Sequence, residues 1–160
     1  MDRLKPVEGL AKMETEELNA VNYNDDFYQW TQQQADLLRQ GQLSLLDVEN
    51  LAEEIEGMGK SDRRAMESYL ANIILHLLKW QYQPERRGSS WKLSIRNGRH
   101  HAAKRLKESP SLKNQVTGLI ADEYPLVREY AAAQTGLPLE TFPEQCPFMV
   151  EQIMDDYWPE

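Results

Sequence analysis

An all-α protein is predicted: a compact single-domain bundle of five to seven helices around a central apolar helix near residues 61–83. Three observations predict it. Leucine outnumbers valine and isoleucine together, 20 to 12, and β-branched side chains lose rotamer freedom against the preceding helical turn. Apolar residues recur at three- and four-residue spacing, which gathers them on one side of a helix. No run of the sequence alternates as a half-buried strand would. At 160 residues the chain can bury a core of its own. Residues 23–160 read as one helical domain behind an N-terminal extension, 1–22, which holds a short helix near Glu14 to Ala20.

The first firm helix starts after `NYNDD`, where Asn24 or Asp25 can accept a bond from a free N–H of the first turn. It runs to about Gln40, shows Phe27, Trp30, Leu37 and Leu38 on one face, and stops at Gly41. Ser44 or Asp47 can start the next helix, about Asp47 to Met58, with Val48, Leu51, Ala52, Ile55 and Met58 as its buried stripe. Gly57 and Gly59 weaken it, and Ser61 offers a fresh start, so 47–83 reads either as one helix or as two. From Ser61 to Gln83 the apolar arc is the widest in the chain: Met66, Tyr69, Leu70, Ile73, Ile74, Leu77, Leu78 and Trp80. Such an arc belongs in the middle of a bundle.

Pro84 ends that helix, and Gly88, Ser89 and Ser90 break the chain before a helix from about Ser90 to Glu108. Its buried stripe is Trp91, Ile95, Gly98, Ala102 and Leu106, with Gly98 and Ala102 small enough for close helix contact. Pro110 restarts the chain, and Leu112, Val116, Leu119, Ile120, Val127 and Tyr130 predict helix to about Gln134, kinked at Pro125. Gly136 and Pro138 stop it, and a short helix near Phe148 to Asp155 follows.

Charge is unevenly spread. The chain carries −8 overall, yet residues 79–107 hold nine Lys/Arg against the single acid Glu85. That segregation points to an anionic partner, outside the molecule or in its own acidic helices. Within it, `QPERRGSSW` feeds a helix start whose free N–H groups favour negative charge. Arg86 and Arg87 add forked donors that match phosphate or carboxylate oxygens. The expected ligand-binding set is Arg86, Arg87, Ser89, Ser90, Lys92, Arg96 and Arg99. The bland reading is a serine N-cap at Ser89 or Ser90 plus arginines paired with the protein's own acids. Trp80, Tyr82 and Trp91 could stack bases, but Trp80 and Trp91 fall on faces predicted to be buried.

A second constellation is acidic. Glu49, Glu53 and Glu56 lie on one flank of a helix, where three carboxylates can hold a divalent cation; their bland reading is pairing and solvation, with Glu56 on Lys60. His76 edges the apolar face and could act as a base or ligand, or simply bond a neighbouring group. Together they form the alternative, a metal-dependent hydrolase using Glu53 and His76, with Arg86 or Arg87 steadying developing charge. His100 and His101 are adjacent and cannot make an i,i+4 zinc pair. CxxC, HExxH, GxSxG and dinucleotide fingerprints are absent from the sequence, so no cofactor is expected. The one cysteine, Cys146, forms no intramolecular disulfide, and a lone thiol is usually inert.

The opening residues show no signal-peptide run, and the best apolar run, Tyr69 to Leu78, is interrupted by Asn72 and His76. A cytoplasmic protein with no membrane partner is therefore expected.

Four blocks, `YNDDFYQWTQQQADLLRQG`, `LDVENLAEEIEGMG`, `LLKWQYQPERRGSSWKLSIRNGR` and `TGLPLETFPEQCPF`, resemble a bacterial family known as domain of unknown function twenty-nine. The resemblance spans about residues 22–160, and `HLLKWQYQPERR…SW` is its most specific part. It implies an all-helical single domain in a cytoplasmic setting, in proteins mainly of photosynthetic bacteria, and carries over no catalytic role. On residue chemistry, the matching positions that look functional are Glu49, Glu53, Glu54, His76, Arg86 and Arg87. The leading expectation is a non-enzymatic binding module for an anionic macromolecule, nucleic acid or acidic protein.

Overall fold

A computed structural model describes residues 20–160, and the regular structure among them is helical throughout. Five α-helices occur among the described residues: α1 Phe27–Arg39, α2 Val48–Tyr82, α3 Ser89–Glu108, α4 Val116–Thr135 and α5 Val150–Met154. Short 3-10 turns at Leu43–Leu45, Pro84–Arg86, Pro110–Gln115 and Leu139–Thr141 join them. The helix expected near Glu14 to Ala20 falls outside the described residues, save Ala20. Packing divides the chain into two compact units, Met1–Met58 and Gly59–Glu160. Helix α2 passes through the boundary without a break. The cost of glycine in a helix interior, about 1 kcal/mol each, does not split it at Gly57 and Gly59, and no new helix begins at Ser61.

In the first unit the start of α1 sits later than Asn24 or Asp25. The amides of Asp25 and Asp26 turn back onto the carbonyl of Asn22, so the capping position moves to Asp26, whose carboxylate accepts the Gln29 N–H at 2.9 Å. Gly41 takes the left-handed conformation, φ 69°, and closes the helix as expected. Asp47 caps α2 by accepting the Asn50 N–H at 3.4 Å. Of the face expected to be buried on α1, Trp30 is buried, while Phe27 and Leu38 stay half exposed. The stripe expected to be buried at the start of α2 is largely solvent-facing: Val48, Ala52, Ile55 and Met58 are exposed and Leu51 is half-buried. Among the described residues of this unit, α1 and a short turn accompany the start of α2, and Trp30 and Gln34 are their buried side chains.

The second unit holds the core. Met66, Leu70, Ile73, Ile74, Leu77 and Leu78 of α2 are fully buried against Ile95 and Ala102 of α3, Leu119, Ile120, Tyr124 and Val127 of α4, and Phe142, Phe148 and Ile153 beyond. Each such burial contributes about 1.5–3 kcal/mol. α3 approaches α2 closely at Gly98, where a β-carbon would lie 2.6 Å from Ile73 Cγ1. The small pair Gly98/Ala102 thus does what its spacing predicts. Leu112 sits in the 3-10 turn Pro110–Gln115, so α4 begins four residues later than Leu112, and its helix continues through Pro125. Gly136, φ 73°, ends it.

Candidate functional site

Pro84 lacks an N–H and ends α2, leaving Pro84–Arg86 as one 3-10 turn that sets Arg86 outward. Gly88 follows in extended backbone and is the N-cap of α3, with no side chain to bond the first-turn amides. This overturns the serine cap: Ser89 and Ser90 are the first two helical residues, both exposed. The start of a 20-residue helix therefore keeps amides without a capping side chain, where the helix dipole favours an anion. Lys92, Leu93 and Arg96 are exposed along the next two turns.

The arginines are not locked into carboxylates. Among the described residues Arg86, Arg87, Lys92 and Arg96 make no ion pair, in contrast to Arg105, which lies 3.0 Å from Asp62. Arg87 is half-buried and anchored: its Nε donates to the Trp80 carbonyl at 2.8 Å, and its guanidinium carbon lies 5.2 Å from the Trp80 ring centroid. Lys92 Nζ lies 5.6 Å from the same ring. Trp80 is buried, as its face predicted, and cannot stack a base with either face free; Trp91 is half-buried, with Lys79 Nζ 4.8 Å from its ring. Burial holds the Lys79 ammonium below the ordinary lysine range.

Arg99 departs from the rest of the expected set. It is only 8% exposed and turns inward, donating from Nε to the Ile153 carbonyl at 2.9 Å and from Nη2 to those of Gln152 and Tyr157 at 2.9 and 2.7 Å. It ties down the last turn of α5, whose carbonyls have no partners within the helix. Burial lowers its pKa, against the pull of Asp156 and Asp155, and its Nη1 is buried without a partner among the described residues. The segment it secures packs on Trp80: Trp158 lies 5.0 Å away, ring to ring, and Trp80 Nε1 donates to the Pro159 carbonyl at 3.2 Å. This docking was missed in the sequence, although an aromatic-proline pair, `YWP`, in an acidic stretch was the available signal.

The acidic strip, Glu49, Glu53 and Glu56, is not gathered with other ligand side chains in the described residues. Among the described residues no group of three or more His, Cys, Asp and Glu side chains is placed to hold an ion. The neighbouring Glu54 accepts the Tyr23 hydroxyl, a bond that raises the Tyr23 pKa. Asp47, which sequence reasoning treated only as a helix start, also takes the Trp30 indole N–H at 3.1 Å and the Asn50 side-chain amide at 2.7 Å. Those bonds, the Asn50 amide first, hold its carboxyl below the usual range. His76 is half-buried, its Nδ1 2.8 Å from the Asn72 carbonyl, and burial lowers its pKa. It therefore has the backbone partner of its bland reading, and among the described residues no carboxylate hydrogen-bonds the ring to orient it as a base. Cys146 is half-buried, and burial pushes its thiol up, away from the reactive thiolate.

Comparison with known proteins agrees with the resemblance carried by the sequence blocks. The family described as Domain of unknown function DUF29 matches residues 22–159, and the chain belongs to it. No curated protein and no solved structure matches the chain. Among the described residues no helix is long and apolar enough to cross a membrane.

Proposed function

We propose that this member of the Domain of unknown function DUF29 family is a non-enzymatic binding module for a phosphate-bearing or carboxylate-rich anionic macromolecule. The partner meets the outward side of the Pro84–Arg86 turn and the first two turns of α3. The observation that carries this reading is that Arg86, Lys92 and Arg96 are exposed and without a carboxylate partner among the described residues, beside a helix start that no side chain caps. Unpaired guanidiniums and ammonium groups on one face raise the local concentration of an anion. Arg86 offers the forked geometry that suits phosphate and carboxylate oxygens, and the Ser89 and Ser90 amides and hydroxyls add short-range donors. Arg87 supports the turn through Trp80 rather than reaching outward, and Arg99 belongs to the core. A cytoplasmic setting, where a lone cysteine stays a thiol, goes with the same reading.

The overall charge of −8 opposes any polyanion, so binding must be local and sensitive to salt. The test is a fluorescence titration of the full chain with labelled single- and double-stranded oligonucleotides and with polyglutamate, repeated across about 50–200 mM salt. Affinity for the favoured polyanion should fall linearly on a log–log plot. Removing Arg86 or Arg96 by R86A or R96A should weaken binding and lower the slope by about one each for a phosphate ligand. Affinity that stays flat with salt, or that these substitutions leave unchanged, defeats the proposal. Preference for oligonucleotide over polyglutamate identifies the partner as nucleic acid, and the reverse as acidic protein.

A further inference from the structure

A cleft of about 520 Å³ lies between α4, the loop that follows Phe142, and the start of α5. Its floor is apolar: Ile120, Tyr124 and Phe148 are each almost fully buried beneath it, and Met149 stands at its edge with 63% of its surface exposed. The donors in the floor are already used. The Tyr124 hydroxyl is given to the Pro143 carbonyl at 2.7 Å, and the Cys146 thiol lies 3.7 Å from the Phe148 carbonyl.

The charged groups in the walls are acids, beside the neutral Thr117 and Gln145. Pro125, in the wall, has no N–H, so the i→i−4 bond to the Ala121 carbonyl is missing from the helix ladder. Glu144 and Glu151 stand in the lining, exposed and without an ion pair among the described residues. Among the described residues no lysine or arginine lines the cleft; Lys107 and Lys113 line the neighbouring hollow, which shares Thr117, Val150 and Glu151 with it. The surrounding sequence has the same sign, since residues 116–160 contain nine acids and one base, Arg128. That base is turned to the Phe142 carbonyl at 2.9 Å.

We infer that this cleft docks a basic amphipathic segment of a partner protein, with the segment's apolar side chains on Phe148 and Met149 and its lysines or arginines over Glu144 and Glu151. Apolar anchors in a groove with flanking charge is a recurrent way of capturing an amphipathic helix, and the sign of the rim chooses a basic one. A small-molecule site encloses most of its ligand, whereas the exposed Met149 at this rim suits a partner that continues past the cleft. The cleft shares no residue with the Pro84–Arg86 turn or the first two turns of α3, so either reading can fail alone.

The probe is a labelled helical peptide of leucine and lysine at amphipathic spacing. Controls are a permuted peptide of equal composition, a leucine/glutamate peptide, and dodecyltrimethylammonium. With the full chain, the leucine/lysine peptide should bind saturably and slow alkylation of Cys146 by iodoacetamide. The double substitution E144K/E151K should weaken it about tenfold or more, R86A should leave it unchanged, and a circular-dichroism melt should show both variants folded. Equal binding of the permuted or acidic peptide overturns the inference, as does an E144K/E151K variant that binds normally. Occupancy by the small amphiphile but not the peptide overturns it too. So does a dimer in sedimentation that the peptide dissociates, since a second copy would then be the occupant.

Discussion

Two stretches of α2 carry the same helical spacing of apolar side chains and differ in what becomes of them. From 48 to 58, Val48, Ile55 and Met58 are 64%, 67% and 70% exposed. From 66 to 80, Met66, Leu70, Ile73, Ile74, Leu77 and Leu78 have no exposed surface, and Trp80 has almost none. Periodicity determines which side chains share a face. Whether the face is covered depends on other elements being brought to it. The later stretch has α3, α4 and α5 packed around it. In the first unit Trp30 and Gln34 make the buried contacts, with Asp47 as their hydrogen-bond partner, and the stripe beside them faces outward.

The largest expected effect tests that contrast directly. Leu77→Ala removes methyl groups from a fully buried site and should cost about 2–5 kcal/mol. Ile55→Ala, at an exposed site of the same helix, should change stability by about 0.5 kcal/mol at most. Urea denaturation followed by circular dichroism measures both. Equal losses would mean that the 48–58 face is covered in solution, and the contrast would be void.

Next in size is a pair of glycine substitutions with opposite signs. At Gly98 a β-carbon would meet Ile73 Cγ1 at 2.6 Å and Cδ1 at 3.3 Å. The crowded atom Cγ1 is near the root of a buried side chain, so Gly98→Ala should destabilise by about 1–3 kcal/mol despite alanine's better helix propensity. Gly57 has nothing within 4 Å, so Gly57→Ala should stabilise by up to about 1 kcal/mol. Thermal and urea melts of the two variants should move in opposite directions. A stabilised Gly98→Ala would show that α2 and α3 are not in close contact there.

The buried half was legible because pattern, length and punctuation agreed. A wide apolar arc bounded by Pro84 allows little but a central helix, and Gly98 and Ala102 announce close packing by their size. The exposed half was not legible, because coverage is a property of the assembled fold and not of the stripe. Arg99 illustrates a subtler loss. It follows Gly98 and lies four residues after Ile95 and three before Ala102, squarely on the buried stripe of α3, so helical phase alone separates it from Arg96. Its charge grouped it with the outward residues, whereas its position made it a buried donor to the end of α5. The cleft below Met149 was not visible at all, since loop and helix meet there only after folding. The amides left uncapped at the start of α3 also required coordinates, because a serine cap and a glycine cap differ by a single residue of phase.

The smallest effect lies at the edge of the buried half. His76 is half-buried, and its Nδ1 contacts the Asn72 carbonyl. Burial favours the neutral ring, outweighing the backbone bond, and Lys79 adds to the shift, so the folded pKa lies below the ordinary 6.5. The unfolded chain then binds the proton more readily than the folded one. Stability is full above pH 6.5 and declines as the pH drops below it, until the folded ring also protonates. His76→Gln keeps a polar side chain but removes the titration, so its stability should be less dependent on pH below about 6.5 than that of the parent. Urea midpoints at pH 7.5 and 5.5 measure the difference, with the carboxylates common to both proteins cancelling in the comparison. If parent and variant lose the same stability on acidification, the ring is protonated as easily in the fold as outside it, and the edge of this half is wetter than its burial implies.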